Sequence, residues 1–239
     1  IKSSAASDVY KRQELGQRTI EASETEDKDW INNWKEFFHQ FYVDDILIVP
    51  SWEEIKEEDK DKMILHIDPG TAFGTGMHET TQLVIRQLKK YVKPGIELLD
   101  VGTGSGILGI TALKLGAGHV VGTDLDPCAV PAVQDNKEAN QIVDDTFDMM
   151  IGNIIDDKEV QDQVGYEKYD IVAANILADV LVPLTPVIVH QMKKGAYYIT
   201  SGILDVKEEV VKEAVQKAGL TLVEVTRQGE WVCVTARKD

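Results

Sequence analysis

An apolar run leads into three glycines at alternate positions in the stretch Glu97-Leu98-Leu99-Asp100-Val101-Gly102-Thr103-Gly104-Ser105-Gly106. Glycines let the backbone approach a ligand where a Cβ atom would collide. The apolar pattern of residues 107–115 predicts a helix, so the glycine loop lies at a helix N-terminus. Asp124 follows Gly104 by about 20 residues, where an acid is placed to accept hydrogen bonds from ribose hydroxyls. The stretch therefore predicts a binding site for a nucleotide-containing cofactor.

Two classes of cofactor compete for this loop. Gly104, Gly106 and Gly109 match the G-x-G-x-x-G pattern of dinucleotide-binding folds. With Asp100 before it, the loop also matches the D-x-G-x-G-x-G pattern of S-adenosylmethionine (AdoMet) methyltransferases. A carboxylate just before the first glycine would repel a diphosphate, whereas AdoMet has no phosphate and carries a sulfonium and an amino group. Asp100 therefore favours AdoMet, and a purely structural turn would need neither the three glycines nor the later acid.

Strand and helix patterns alternate from residue 96 onward. Strands are predicted over 96–101, 119–123, 147–151, 169–174 and 196–201, and helices over 107–115, 129–140, 177–190 and 206–218. The segments 221–226 and 231–236 are predicted to close the chain as an antiparallel hairpin. This alternation predicts an α/β fold with a Rossmann-like doubly wound sheet, mostly parallel, and ligands at the carboxyl ends of the strands. The reversed C-terminal hairpin is typical of class I AdoMet-dependent methyltransferases.

Three segments are expected along the chain. Residues 1–29 are polar and rich in charge, and are interpreted as the remnant of an N-terminal domain and its linker, partly artefactual. Residues 96–239 are expected to form the AdoMet-binding catalytic domain. Residues 30–95 are expected to pack on this domain. The middle segment has short strands at 45–50 and 63–67, and an aromatic helical face formed by Trp30, Trp34, Phe37, Phe38 and Phe41.

Composition narrows the choice of partners. The 239 residues include 25 basic and 41 acidic ones, for a net charge of −16, so no sequence-independent attraction to nucleic acid is expected. The acidity would attract a lysine-rich protein, or it serves only solubility. The apolar segment 172–192 is interrupted by polar residues and prolines, and no signal peptide is recognisable, so no membrane association is predicted. Cys128 and Cys233 form neither a disulfide framework nor a metal pair, which indicates a cytoplasmic protein without a metal.

A second glycine-rich loop, of the kind that binds ligands, precedes the glycine loop along the chain. It reads Asp68-Pro69-Gly70-Thr71-Ala72-Phe73-Gly74-Thr75-Gly76-Met77-His78-Glu79-Thr80-Thr81 and leads into a segment with apolar residues at helical spacing. Thr80 and Thr81 fall near the predicted helix N-terminus, where hydroxyl groups cap a helix or bind a ligand. Capping alone explains the threonines but not three glycines and His78 in the same loop.

Polar residues at the strand ends are expected to meet in one crevice. The backbone of Gly102 to Gly106, with Gly104 at its centre, would approach the methionine part of AdoMet, and Asp124 would bind the ribose. Asn153 would pair with the adenine edge, or is a plain turn residue. Asn175 would accept a hydrogen bond from a methyl-accepting amine and so position it, or it caps a helix.

The motifs together resemble one known family. The motifs that carry this resemblance are Trp30-x-x-x-Trp34, Pro50-Ser51-Trp52, the loop 68–81, the glycine loop, Asp124-Leu125-Asp126-Pro127 and Ala174-Asn175-Ile176-Leu177-Ala178. This set resembles the bacterial methyltransferases of ribosomal large-subunit protein eleven (PrmA). The resemblance runs from about Glu14 to the end and does not include residues 1–12. It implies methyl transfer from AdoMet to lysine side-chain amines and the N-terminal amine of that ribosomal protein.

The resemblance also implies roles for residues. Thr81, Gly102, Asp124 and Asn175 would be cofactor contacts, and Phe73 to His78 would line or cover the methyl-donor site. The family has an N-terminal substrate-recognition domain, nearly all of which is missing from this sequence. The chain is therefore expected to bind AdoMet but to methylate the ribosomal protein poorly.

Two alternatives remain open. The first is a class I methyltransferase that acts on glutamine or on an adenine amine; such enzymes have the motif Asn-Pro-Pro-Tyr at the end of the fourth strand. This chain has Asn175-Ile176-Leu177-Ala178 there, which lacks the aromatic residue that would stack on a planar group. The other alternative is an AdoMet-binding module that is inactive without its substrate domain.

Overall fold

The computed structural model describes residues 38–68 and 74–239. Its contacts divide the chain into two units, Ile1–Phe38 and His39–Asp239. Phe73 and the aromatic residues Trp30, Trp34 and Phe37 lie outside the described residues. The second unit holds all the strands and helices that are given below.

The second unit begins with a small three-stranded sheet. Its strands are β1 (Phe41–Val43), β2 (Ile46–Val49) and β3 (Met63–His66), with β1 antiparallel and β3 parallel to the central β2. The prediction of a helical face that includes Phe41 is therefore wrong at this residue. Phe41 pairs with Ile48 across a tight hairpin, which Asp44 closes with a φ of 55°. Strand pairing outweighs the helical spacing because aromatic and β-branched residues fit a strand well.

Alternating helices and strands follow in the order predicted from residue 96 onward. They are α1 (Glu79–Tyr91), β4 (Glu97–Val101), α2 (Ile107–Lys114), β5 (His119–Asp124), α3 (Ala129–Ala139), β6 (Phe147–Ile151), α4 (Lys158–Val164), β7 (Tyr169–Asn175), α5 (Ala178–Ile188), β8 (Met192–Leu204), α6 (Glu208–Lys217), β9 (Leu220–Gln228) and β10 (Trp231–Lys238). Short 3₁₀ helices lie at Glu57–Asp59, Asp144–Thr146 and Asp205–Lys207. Among the α-helices and strands after residue 96, helix α4 is the one that the sequence patterns do not predict.

These strands form a seven-stranded sheet in the order β6-β5-β4-β7-β8-β10-β9. Strands β4 to β8 are parallel, and β10 is antiparallel to both β8 and β9. The predicted mostly parallel sheet with a reversed hairpin is confirmed. Because β10 is reversed, its first residue, Trp231, pairs with Leu204 at the carboxyl end of β8. One edge of the sheet therefore carries the ends of β4 to β8 and the start of β10.

Both faces of the sheet are buried. Successive side chains of a strand point to opposite faces, so Leu98 and Leu99 belong to different hydrophobic clusters. The cluster of Leu99 includes residues of α4, α5 and α6, whereas that of Leu98 includes residues of α1, α2, α3 and the small sheet. In the part of the chain that is described, no helix combines the length and the apolar character needed to cross a bilayer.

Candidate active site

The glycine loop joins β4 to α2 in a conformation that glycine favours. Gly102, Gly104 and Gly106 have φ values of +73°, +54° and +82°, in the left-handed region. A Cβ atom at Gly102 would lie 2.5 Å from Cγ2 of Ile176, so this position also requires close approach. The N–H groups of Gly102 and Thr103 donate to the carbonyl oxygen of Thr123, at 2.8 and 3.1 Å. The loop is thus fixed against the end of β5.

Asp100 lies beneath this loop and is fully buried. Its Oδ2 accepts hydrogen bonds from Oγ1 of Thr103 at 2.8 Å and from the N–H of Gly109 at 3.2 Å. Its Oδ1 is buried and has no hydrogen-bond partner among residues 38–68 and 74–239. Burial raises the pKa of the Asp100 carboxyl to about 6, and the charge of Asp124 adds to the effect. Asp100 does not line the cavity, so it acts on the loop from below.

Asp124 ends β5 and lines the cavity. Its Oδ2 accepts from the N–H of Gly104 at 2.9 Å, and its Oδ1 accepts from the N–H of Asp126 at 3.0 Å. Each carboxylate oxygen can accept more than one hydrogen bond, so both remain able to accept from a ligand hydroxyl. The structure therefore joins the glycine loop and the predicted ribose acid in one unit.

Asn153 follows β6 and also lines the cavity. Its Oδ1 accepts from the N–H of Ile155 at 3.0 Å, and its Nδ2 donates to Oδ2 of Asp156 at 3.0 Å. These bonds explain Asn153 as a turn residue. Contact with an adenine edge stays a prediction. The neighbouring Gly152 donates its N–H to the carbonyl oxygen of Asp124 at 2.9 Å, which holds the turn beside β5.

Asn175 ends β7 and lines the cavity, while Thr81 lies behind it. Nδ2 of Asn175 donates to Oγ1 of Thr81 at 3.1 Å. Thr81 is 1% exposed, belongs to the first turn of α1 and does not line the cavity. The helix-capping alternative for Asn175 is not supported, because the N-cap of α5 is Leu177 and has no side-chain cap. Thr81 thus fixes the amide nitrogen of Asn175, and the amide oxygen belongs to a side chain at the cavity wall.

His78 is the N-cap residue of α1 and lies at the end of the second loop. Its Nδ1 accepts from the N–H of Thr80 at 3.3 Å, so His78 caps the helix. The loop rests on the glycine loop, because Oγ of Ser105 donates to the carbonyl oxygen of Gly74 at 2.5 Å. The His78 ring also packs edge-on against Trp231, with ring centroids 4.8 Å apart.

These residues surround one cavity of about 640 Å³, a volume that suits a cofactor. Six of the predicted site residues line it, namely His78, Gly102, Gly104, Asp124, Asn153 and Asn175. The sequence patterns miss Trp231, Gly202 and the apolar Ile155, which also line it. Within residues 38–68 and 74–239, no three His, Cys, Asp or Glu side chains are grouped to hold a metal ion.

The arrangement fits AdoMet. Gly102 and Gly104 line the cavity without side chains, Asp124 offers a carboxylate for a diol, and the remaining wall is mainly apolar. A family model described as ribosomal protein L11 methyltransferase (PrmA) matches residues 2–239. This chain belongs to the PrmA family. The match starts at residue 2, contrary to the expectation that residues 1–12 lie outside the resemblance.

Relatives of this PrmA-family chain agree with the match. A ribosomal protein L11 methyltransferase of Agathobacter rectalis is 56% identical over 228 residues, which cover 94% of this chain and 71% of the relative. The solved structure of a ribosomal protein L11 methylase from Lactobacillus delbrueckii subsp. bulgaricus is 31% identical, with a TM-score of 0.75, and covers 84% of this chain and 100% of that one. An S-adenosylmethionine-dependent methyltransferase from Mesorhizobium loti shares the fold, with 11% identity, a TM-score of 0.52 and coverage of 64% of this chain and 95% of that one. The PrmA-family chain is a class I AdoMet-dependent methyltransferase.

Proposed function

We propose that this enzyme methylates lysine side-chain amines and the N-terminal amine of ribosomal protein L11. The names of relatives that are 56% and 58% identical support the ribosomal protein as acceptor. The observation that carries the choice of an amine is that Asn175 lines the cavity while its Nδ2 donates to Thr81, so its amide oxygen is a suitable acceptor for an N–H group. The free cysteines, exposed Cys128 and buried Cys233, suit the cytoplasm in which we place the enzyme.

The donor half of the site would hold AdoMet through three groups of residues. The backbone of Gly102 and Gly104 would bind its methionine part, Asp124 would accept from the ribose hydroxyls, and Asn153 with Ile155 would face the adenine. Phe73 to His78 would cover the donor. When bound, AdoMet supplies a methyl group on a sulfonium, which a nucleophile attacks in line.

The acceptor half has to orient a neutral amine. A lysine ammonium has a pKa near 10.4, so its proton leaves to bulk base before the attack. A neutral primary amine still has N–H groups, and Oδ1 of Asn175 would accept one of them. Thr81 would keep the amide from rotating, which directs the amine lone pair toward the methyl carbon. Asn175 would thus act as a catalytic residue, and Thr81 as the residue that positions it.

Two measurements test the proposal. Calorimetry gives the affinity for AdoMet, and radiolabelled AdoMet with purified L11 gives the transfer rate. We expect transfer to L11, weaker transfer when its lysines are replaced by arginine, and loss of the remainder when its N-terminus is acetylated. Binding without transfer to any L11 form would contradict the proposal and favour an inactive AdoMet-binding module. Transfer to free glutamine peptides or to adenine would favour the other class I branch.

Variants separate the roles of the residues. Asn175→Ala should lower the transfer rate by one to two orders of magnitude, because a charge-developing amine loses its acceptor. Asp124→Ala should weaken AdoMet binding by about 10- to 100-fold, because a carboxylate–hydroxyl hydrogen bond is charge-assisted. Asp135→Asn, at an exposed position on α3, is the matched control and should change neither quantity. Unchanged AdoMet affinity in Asp124→Ala would refute the ribose assignment.

A further inference from the structure

The strand order gives the cavity two chemically different ends. Asp124 lies on β5, Asn175 on β7 and Trp231 on β10, and all three line the cavity. Neighbouring strands are about 4.8 Å apart, so two strand spacings, or about 10 Å, separate Asn175 from each of the others. The cavity therefore runs from a carboxylate end, past Asn175, to an aromatic end.

Gly202 is the residue of β8 that lines the cavity between Asn175 and Trp231. Strand β8 lies between β7 and β10, and its contribution to the cavity wall at this point is Gly202, which has no side chain. Gly202 has a φ of +84°, and a Cβ atom there would lie 2.3 Å from the carbonyl oxygen of Ile176. Gly202 therefore packs closely against the backbone of Ile176 and adds no side chain to the cavity wall.

The indole of Trp231 packs against His78, and the hairpin that carries it is bonded to α1. His78 packs against the indole with an interplanar angle of 69°. The hairpin before it is fixed to α1, because the Gln228 side chain accepts from Arg86 at 2.6 Å and donates to Gln82 at 3.1 Å. An aromatic ring that is fixed in this way, at the wall of a cavity for an amine, can bind a cation over its face.

We propose that Trp231, positioned by His78, stabilises the positive charge that develops on an already methylated acceptor nitrogen as it takes the next methyl group, and so favours the later rounds of methylation over the first. This inference rests on the proposed function, in which the acceptor is a lysine amine. Each methyl group removes one N–H donor, so the hydrogen bond to Asn175 is lost as methylation proceeds. The neutral tertiary amine of dimethyllysine has no N–H left. Each methyl group also makes the ammonium less hydrated, which strengthens its attraction to an aromatic face.

The two residues would therefore serve different rounds. Asn175 orients the unmethylated amine, and Trp231 holds the amine once it has methyl groups. Loss of the indole should change the pattern of products more than the first transfer. A purely structural role of Trp231 would lower all rounds together.

The test follows mono-, di- and trimethyllysine in L11 by mass spectrometry over time, with parent, Trp231→Leu and Trp231→Phe enzymes. In Trp231→Leu we expect the last transfer to slow by about 5- to 30-fold more than the first, the range of a partly to fully desolvated cation–π contact. Trp231→Phe should keep most of the last transfer. Equal slowing of all rounds, or an unchanged product pattern, would overturn the inference. Calorimetry with AdoMet checks that the donor end is intact.

A second measurement needs no variant. A peptide with trimethyllysine should inhibit the parent enzyme about 5- to 30-fold more strongly than the same peptide with the neutral carbon isostere of that side chain. Equal inhibition would refute the cation–π contact even if Trp231→Leu failed to fold. No methylation of L11 lysines at all would instead refute the proposed function, so the two failures are distinguishable.

Discussion

Asp100→Asn should remove a pH-dependent loss of stability. The Asp100 carboxyl is fully buried, and its pKa rises from 3.8 in the unfolded chain to about 6 in the folded protein. Between these two values the folded protein binds more protons than the unfolded chain does. The free energy of unfolding therefore falls as the pH rises through this window. Asparagine does not titrate, so the variant lacks this fall.

The magnitude follows from the shift. A difference of 2.2 between the two pKa values corresponds to about 3 kcal/mol in total, at about 1.36 kcal/mol per unit. About 1.4 kcal/mol of it falls between pH 5 and pH 8, because the folded-state pKa lies inside that interval. Any cost in stability of placing the new amide at this buried position is the same at both pH values and cancels.

The assay is urea unfolding of the parent and of Asp100→Asn at pH 5 and pH 8, without AdoMet. The variant should gain about 1.4 kcal/mol on the parent between the two pH values. Asp135→Asn, on the exposed face of α3, should gain nothing. Parallel pH dependence of the parent and Asp100→Asn would refute the reasoning, because it would mean that the carboxyl titrates alike in the folded and unfolded chains.

Three further predictions concern the site. Gly102→Ala should destabilise the fold by about 1–3 kcal/mol more than Gly219→Ala in urea, because both have positive φ but only the first meets Ile176, whereas Gly219 has no atom within 4 Å. Equal losses would contradict the close approach. Thr81→Val should lower kcat about 2- to 10-fold through Asn175, with AdoMet affinity unchanged. Weaker AdoMet binding at constant kcat would make Thr81 a cofactor contact instead. Raising the pH from 7 to 9 should increase lysine methylation about tenfold more than N-terminal methylation, because the pKa values of the free amines are near 10.4 and 7.8. A constant ratio by mass spectrometry would contradict attack by neutral amines.

Most of the sheet could be predicted because its strands are apolar and bounded by turns. Strands β4 to β7 lie within one or two residues of the expected positions. Helix α4 escaped prediction because it has only seven residues, of which Val160 and Val164 are the buried apolar ones. Strand β8 is longer than expected, from Met192 to Leu204, because its first residue pairs with β7 and its last residues pair with β10. Such pairing depends on distant residues and leaves no local pattern.

Some residues of the site could likewise be predicted from the sequence, and others could not. Gly102, Asp124 and Asn175 could be found because each follows a strand in a recognisable motif. The place of Thr81 behind Asn175 joins residues 94 positions apart, which no local pattern indicates. Trp231 depends on the insertion of β10 beside β8. Aromatic residues at strand starts are common in hydrophobic cores, so the sequence alone does not mark this one as part of a cavity.

The position of β10 also sets an order on the assembly of the enzyme. Strand β9 precedes β10 along the chain but joins the sheet only through it, since β10 lies between β8 and β9. A growing chain that has left the ribosome as far as Gln228 already has every strand that borders the donor end of the cavity. It still lacks the strand that brings Trp231 to the other end. During synthesis, the place for the methyl donor is therefore complete before the place for the molecule that receives the methyl group.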